Sequence, residues 1–193
     1  MDRSSGPETC LLQVARDPSN NHVIDISGNS GYDASVLSWG YDNTYGDYLI
    51  FNQSAIQINN TNGNHDPRTI LMFAKHTVTT DTSIILSYGV YANQIGTRFM
   101  YTYNGSQYSI TDISPQDNTW YHVASIMTGN GYMIGNKMYI DGVNYPLSWF
   151  REQSELTGQA ILENFIVLGG ITTKNTYNLI GYESQIYYFD REL

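Results

Sequence analysis

Cys10 is the only cysteine in 193 residues, so no intrachain disulfide can form, and no second thiol or histidine lies at metal-ligand spacing from it. Lysine is almost as scarce, at positions 75, 137 and 174 only. Nine basic residues face eighteen acidic ones, a net charge of −9. The basic stripe that a nucleic-acid binder or an anionic lipid surface requires is missing, so neither a nucleic-acid partner nor membrane insertion is expected. Charged residues make up 14% of the chain, against about a quarter in an average domain. Its apolar runs are all far shorter than a membrane-crossing helix. Residues 1–9 are charged and polar where a secretory signal would carry an apolar core. No long sequence repeat recurs, which argues against solenoids and propellers.

What fills the gap is uncharged and polar. Gly, Ser, Thr and Tyr each occur 17 times and Asn 18 times, and aromatics reach 13%, too many for a disordered chain. Strand and turn formers abound while good helix formers are few. Short alternating apolar runs recur between turn signals: 11–15, 34–39, 48–51, 55–59, 68–76, 83–91, 97–103, 107–111, 120–128, 137–140, 165–168 and 183–190. About a dozen strands at such spacing predict an all-β sandwich or barrel. Asn104-Gly105 and Asp141-Gly142 have the residues that type I′ hairpin turns need at positive φ. One short helix is predicted over 154–161, with Ser154 as its cap and Gly158 interrupting it.

Three segments stand out. The first is Trp120-Tyr121-His122-Val123-Ala124, followed after a loop by Tyr139-Ile140-Asp141-Gly142. The second is Leu168-Gly169-Gly170 and the closing stretch Gly181-Tyr182-Glu183-Ser184-Gln185-Ile186 through Asp190-Arg191. The third is Asp25-Ile26-Ser27-Gly28-Asn29. Together they resemble the laminin G-like and pentraxin-like branch of the concanavalin A-like lectin/glucanase group. The resemblance covers residues 11–193, leaving 1–10 as a polar extension, and implies a two-sheet antiparallel jelly-roll sandwich. Trp120 is expected to fill its core, His122 to be structural, and Asp141-Gly142 to close a hairpin.

Catalysis finds no support in the pattern. A glucanase of this group would carry acidic residues alternating along one strand, aimed into one cleft. The glutamates at 8, 152, 155, 163, 183 and 192 form no such cluster. The histidines at 22, 65, 76 and 122 make no zinc motif, and Ser27–Gly31 has the wrong spacing for a nucleophile elbow. Calcium is the one metal worth carrying forward. Many relatives hold the ion between the early loop and the closing strand, and Asp25, Asn29 and Asp33 are the matching oxygen ligands here. Ser184 and Gln185, however, stand where the resemblance expects Asp-Glu. The early loop also reads as an Asx turn held by its own side chains.

Three segments read as loops combine aromatic contact area with planar amides, which suits them to sugars. They supply Tyr41, Asn43 and Tyr45; Asn64 and His65; and Tyr145 and Trp149 as ligand-binding candidates. The leading expectation is a non-catalytic domain that binds a cell-surface glycan or host receptor. It would serve as a viral or phage spike or fibre head, as a trimer in that case, or as an adhesion module, and act at a virion surface or extracellularly. Two alternatives stand beside it: a structural virion or assembly protein that binds no sugar, and an unusual glycoside hydrolase.

Overall fold

The computed structural model describes residues 12–17, 19, 22–25, 33–35, 38–52, 54–59, 68–77, 83–88, 91–95, 100–103, 107–111, 113–127, 137–145, 148–149, 165–170, 178–189 and 191–193. The expected 154–161 helix lies outside them, as does the 1–10 extension. The first seven strands are β1 (Leu12–Arg16), β2 (His22–Asp25), β3 (Asp33–Ser35), β4 (Trp39–Asp42), β5 (Gly46–Asn52), β6 (Ile56–Asn59) and β7 (Arg68–His76). The middle of the chain adds β8 (Ser83–Tyr88), β9 (Tyr91–Ile95), β10 (Met100–Tyr103), β11 (Gln107–Ile110) and β12 (Tyr121–Met127). The rest are β13 (Lys137–Ile140), β14 (Val143–Tyr145), β15 (Ser148–Trp149), β16 (Phe165–Leu168) and β17 (Ile180–Phe189).

They form two antiparallel sheets, the jelly-roll sandwich that the sequence implied. One runs β14-β13-β12-β7-β17-β1-β2-β3, with β5 also on β17 and β4 on β5; the other runs β15-β11-β10-β9-β8-β16-β6. Among the described residues one buried cluster lies between them. Leu49, Phe51, Ile70, Met72, Val123 and Met138 come from the larger sheet, Ile56, Ile85, Ile95 and Leu168 from the smaller. Strand β7 shows how the sequence specifies this. Ile70, Met72, Ala74 and His76 are buried while Leu71, Phe73 and Lys75 are half-buried on the opposite face, the two-residue period of a pleated strand.

Several sequence expectations change. The run 34–39 is not one strand: β3 ends at Ser35 and β4 starts at Trp39. The run 83–91 is a hairpin, with Tyr88 paired to Tyr91. The stretches around Tyr41 and Tyr145, read as loops, are largely strand, because pairing with β5 and β13 satisfies backbone groups that their Gly, Asn and Asp content suggested would go to turns. At 104–105 the pairing of Tyr103 with Gln107 leaves three residues rather than two between the strands; the turn itself lies outside the described residues.

The Asp141-Gly142 expectation holds in detail. Ile140 pairs with Val143, and the two residues between have φ of 51° and 80°, the type I′ signature. Asp141 Oδ1 accepts the His122 N–H at 2.9 Å, and the Asp141 N–H donates to the His122 carbonyl at 2.9 Å. The Trp-Tyr-His-Val-Ala and Tyr-Ile-Asp-Gly segments are thus two halves of one clasp. Asp141→Ala is expected to cost about 1–2 kcal/mol, losing the acceptor and straining positive φ, whereas Asp141→Asn keeps both features. Denaturant midpoints of the two variants check this.

Candidate functional site

The outer face of the larger sheet is aromatic. Alternation that buries Tyr121 and Val123 turns Trp120 and His122 outward, so Trp120 is half-buried on this face rather than filling the core as expected. His122 pairs with Phe73, Phe73 with Ser184, and Ser184 with Tyr48; in the next row Lys75 pairs with Tyr182. Six rings from these strands and the β4–β5 turn make one layer. Tyr45 lies 5.0 Å from Phe73 and 5.0 Å from Trp120, and Phe73 lies 5.0 Å from His122. Tyr48 stands 5.7 Å from Trp120 and 5.2 Å from Tyr182 in edge contacts, the arrangement that the ring quadrupole favours. The Lys75 ammonium sits 4.9 Å above Trp120 and 4.5 Å above Tyr182, a double cation–π contact. All six rings and Lys75 remain half-buried.

Beside this layer is a cleft of about 410 Å³. It opens where one edge of β17 changes partner, from β5 at residues 180–184 to β1 at 187–188. Opposite β7, the register slips by one residue between Ser184 and Tyr187. Gln185 sits in that bulge at φ 49°, a conformation costly for a residue with a Cβ. The side chains around the bulge hold the β4–β5 turn. The Ser184 hydroxyl lies 2.7 Å from the Tyr45 carbonyl and 2.9 Å from that of Asp47, and Gln185 Nε2 donates to the Tyr45 carbonyl at 3.3 Å. Asp42 Oδ1 accepts the amides of Thr44 and Tyr45. The residues standing in place of Asp-Glu are therefore donors to backbone carbonyls, which ionised carboxylates could not be.

Two buried ionisable groups lie under this surface. Glu183 is fully buried, and neither carboxylate oxygen has a hydrogen-bond partner. Burial pushes its carboxyl well above the usual range. The Gly169 N–H pulls weakly the other way, being already committed to the Ile85 carbonyl at 2.9 Å. His76, also fully buried, faces Asp117 with Nε2 3.3 Å from Oδ1. Burial lowers its pKa and Asp117 partly offsets this.

The candidates from sequence are dispersed. Tyr41 and Asn43 sit on the β4–β5 hairpin, both exposed, Tyr41 at 67%. Tyr45 follows them but turns its ring into the aromatic layer. Tyr145 packs against the core from β14, at the opposite side of the sheet from β4. Six strand steps separate β14 from β4, about 25–30 Å, so Tyr145 shares no site with Tyr41. Trp149 lies on β15 at an edge of the other sheet. Asn64, His65 and Asn29 lie outside the described residues. Asp25 and Asp33 are carried by the paired strands β2 and β3. Among the described residues no three His, Cys, Asp or Glu side chains gather as a metal site. The sequence gives little notice of Tyr48, Phe73, Lys75, Trp120 and Tyr182 as ligand-binding residues. The one available signal was β7 itself, where an apolar face opposite the core ends in one of only three lysines.

No family model matches the chain, and no curated protein does. Solved structures do match. The binding domain of botulinum neurotoxin serotype D aligns with a TM-score of 0.67 at 19% identity, over 96% of this chain and 49% of that one. The binding domain of Paraclostridial Mosquitocidal Protein 1 gives 0.69 at 13%, over 96% and 49%. The Trypanosoma rangeli sialidase, captured with 2,3-difluorosialic acid as a covalent intermediate, gives 0.68 at 13%, over 100% and 34%. The chain spans about half the length of the toxin binding domains and a third of the sialidase. At such identities the likeness is one of fold, and it places the chain among β-sandwich domains.

Proposed function

We propose that this chain is a non-catalytic recognition domain of the concanavalin A-like, laminin G-like type that binds a glycan on a cell or host surface. It acts as a spike or fibre head or as an adhesion module. The aromatic layer carries this reading: six half-buried rings on a sheet face give apolar contact area for the C–H faces of sugars, and Asn43 is exposed on the adjoining β4–β5 turn for their hydroxyl groups. Structures that share the fold support it, among them one of botulinum neurotoxin type C, whose cell entry depends on interaction with two ganglioside molecules. The sialidase match leaves catalysis to be tested directly. Turnover of any polysaccharide that is abolished by changing one carboxylate would overturn the non-catalytic part.

A broad glycan array is the test. Tyr182→Ala is expected to weaken the strongest hit at least tenfold, about 1.4 kcal/mol, with the thermal unfolding profile recorded alongside to exclude misfolding. Silence across the array, together with a stable trimer in light scattering, would make the aromatic face an assembly surface instead. A calcium ion held by Asp25, Asn29 and Asp33 is a separable part of the proposal. Chelation is expected to reduce binding if the ion orders that loop, and unchanged binding after chelation removes it.

A further inference from the structure

Lys75 lies in the ring layer in a setting unlike that of Arg16 or Lys137. Arg16 faces Asp47, and Lys137 is bound to Glu192 at 2.7 Å. Among the described residues, no carboxylate forms an ion pair with Lys75 and no oxygen accepts a hydrogen bond from it. Its partners are ring faces instead: Trp120 at 4.9 Å and Tyr182 at 4.5 Å from the ammonium, two rings that are themselves 6.2 Å apart. Ring quadrupoles hold the charge in place, but they are no substitute for the oxygen acceptors that an ammonium with three N–H donors seeks. The acidic groups on neighbouring segments are engaged elsewhere. Asp47 faces Arg16, Asp117 faces His76, and Asp42 accepts the amides of Thr44 and Tyr45. The half-buried face thus presents a positioned cation without a counter-ion.

We propose that Lys75 anchors the carboxylate of an acidic sugar unit, a uronic or sialic acid, on the aromatic face; the proposal rests on the glycan-recognition reading above. A neutral hydroxyl could also accept from Lys75, but a hydrogen bond between ionised partners is about twice as strong. The apolar part of the same unit has contact area directly beside the charge, because Tyr48 meets both Trp120 and Tyr182 edge-on. The two rings also hold the lysine stem before any ligand arrives, which reduces the entropy lost on binding. Charge balance sets the number of anionic groups. On a molecule of net charge −9, a lone ammonium suits one carboxylate, and a polysulfated chain would meet repulsion beyond it.

The test is ligand-observed NMR and calorimetry with matched pairs. One pair is methyl β-glucuronide and methyl β-glucoside; the other is the methyl α-glycoside of N-acetylneuraminic acid and its carboxamide. The glycan array supplies the same contrast in longer chains. The acidic member of at least one pair is expected to bind about tenfold tighter or more than its neutral partner. Lys75→Met keeps an apolar stem on the rings and removes the charge, so it should erase that preference with the thermal unfolding profile unchanged. Lys75→Arg, whose guanidinium also stacks on aromatic faces, should retain it. Equal binding within both pairs and across the array would overturn the carboxylate assignment and leave glycan recognition standing. A preference that survives Lys75→Met, one lost equally in Lys75→Arg, or an acidic glycoside bound no tighter than acetate would do the same. No binding of any of these sugars or of any array glycan would overturn both.

Discussion

Gly181→Ala is expected to unfold the domain or to bring it close to unfolding. Gly181 lies in β17 with a strand on each side, paired with His76 of β7 and Phe51 of β5. A Cβ there would stand 2.1 Å from the Lys75 carbonyl oxygen and 3.0 Å from His76 Cα. Both obstacles are backbone, in the strand pair at the centre of the larger sheet, so relief requires β7 and β17 to part. Overpacking of well-packed cores costs about 1–3 kcal/mol even when side chains can adjust. With backbone as the obstacle, about 3 kcal/mol or more is expected, a large share of the 5–15 kcal/mol typical of a whole domain. Gly142→Ala is the matched control: φ is 80° but nothing lies within 4 Å of the added atom, so only backbone strain applies, about 1–2 kcal/mol. Denaturant midpoints or soluble yields of the two variants should separate widely. A Gly181 variant no less stable than the Gly142 one would show that the strands part easily here.

That close approach also shows what could be read in advance. The gross architecture was legible because alternation is a local property. The runs 68–76, 137–140 and 165–168 appear as strands with the same bounds in sequence and structure. The edges were less so. Strands such as β4 (Trp-Gly-Tyr-Asp) and β14 (Val-Asn-Tyr) carry turn-forming residues and are strands through their partners, which no local pattern contains. Between β8 and β9, Gly89 before Val90 is the residue order of a II′ hairpin.

The site divides in the same way. Composition alone points to Tyr41, Asn43 and Tyr45 as candidates, and their hairpin carries Tyr45, whose ring joins the aromatic layer. The face itself assembles Tyr48, Phe73, Trp120, His122 and Tyr182 from segments up to 134 positions apart, so no spacing rule could join them. Trp120 misled because its size suggests a core position, yet one step of alternation gives the inner place to Tyr121. The cleft borders a bulge, and a single inserted residue is invisible to periodicity until the register is known.

Replacing Glu183 with methionine is expected to stabilise the protein, and increasingly so as pH rises. The side chain is fully buried on the inner face of β17, opposite Ala74 and Leu49, with both oxygens unpartnered. A buried polar group left unsatisfied costs about 1–3 kcal/mol, which methionine of similar length removes. Ionisation adds a pH-dependent part. Because burial raises the folded-state pKa, the folded protein keeps the proton after the unfolded chain has released it in the ordinary carboxylate range. Folded-state stability is therefore complete below that range and falls as pH climbs toward the raised value, by at most about 1.4 kcal/mol per pH unit. His76 acts in the opposite sense. Its lowered pKa means that the unfolded imidazole binds a proton first as pH falls below about 6.5, so its contribution declines toward acid. Above neutrality His76 no longer contributes a slope, and the Glu183 effect is free of it. The stability gap between Glu183→Met and the wild-type protein, measured by denaturant unfolding, should widen from pH 5 to pH 8. Glu183→Gln separates the two causes: it cannot ionise, so it should flatten the slope, yet it still buries an amide without partners and should gain less at pH 5. A gap that stays constant across this range would mean that the folded carboxyl is already ionised at pH 5, and that burial has not raised its pKa.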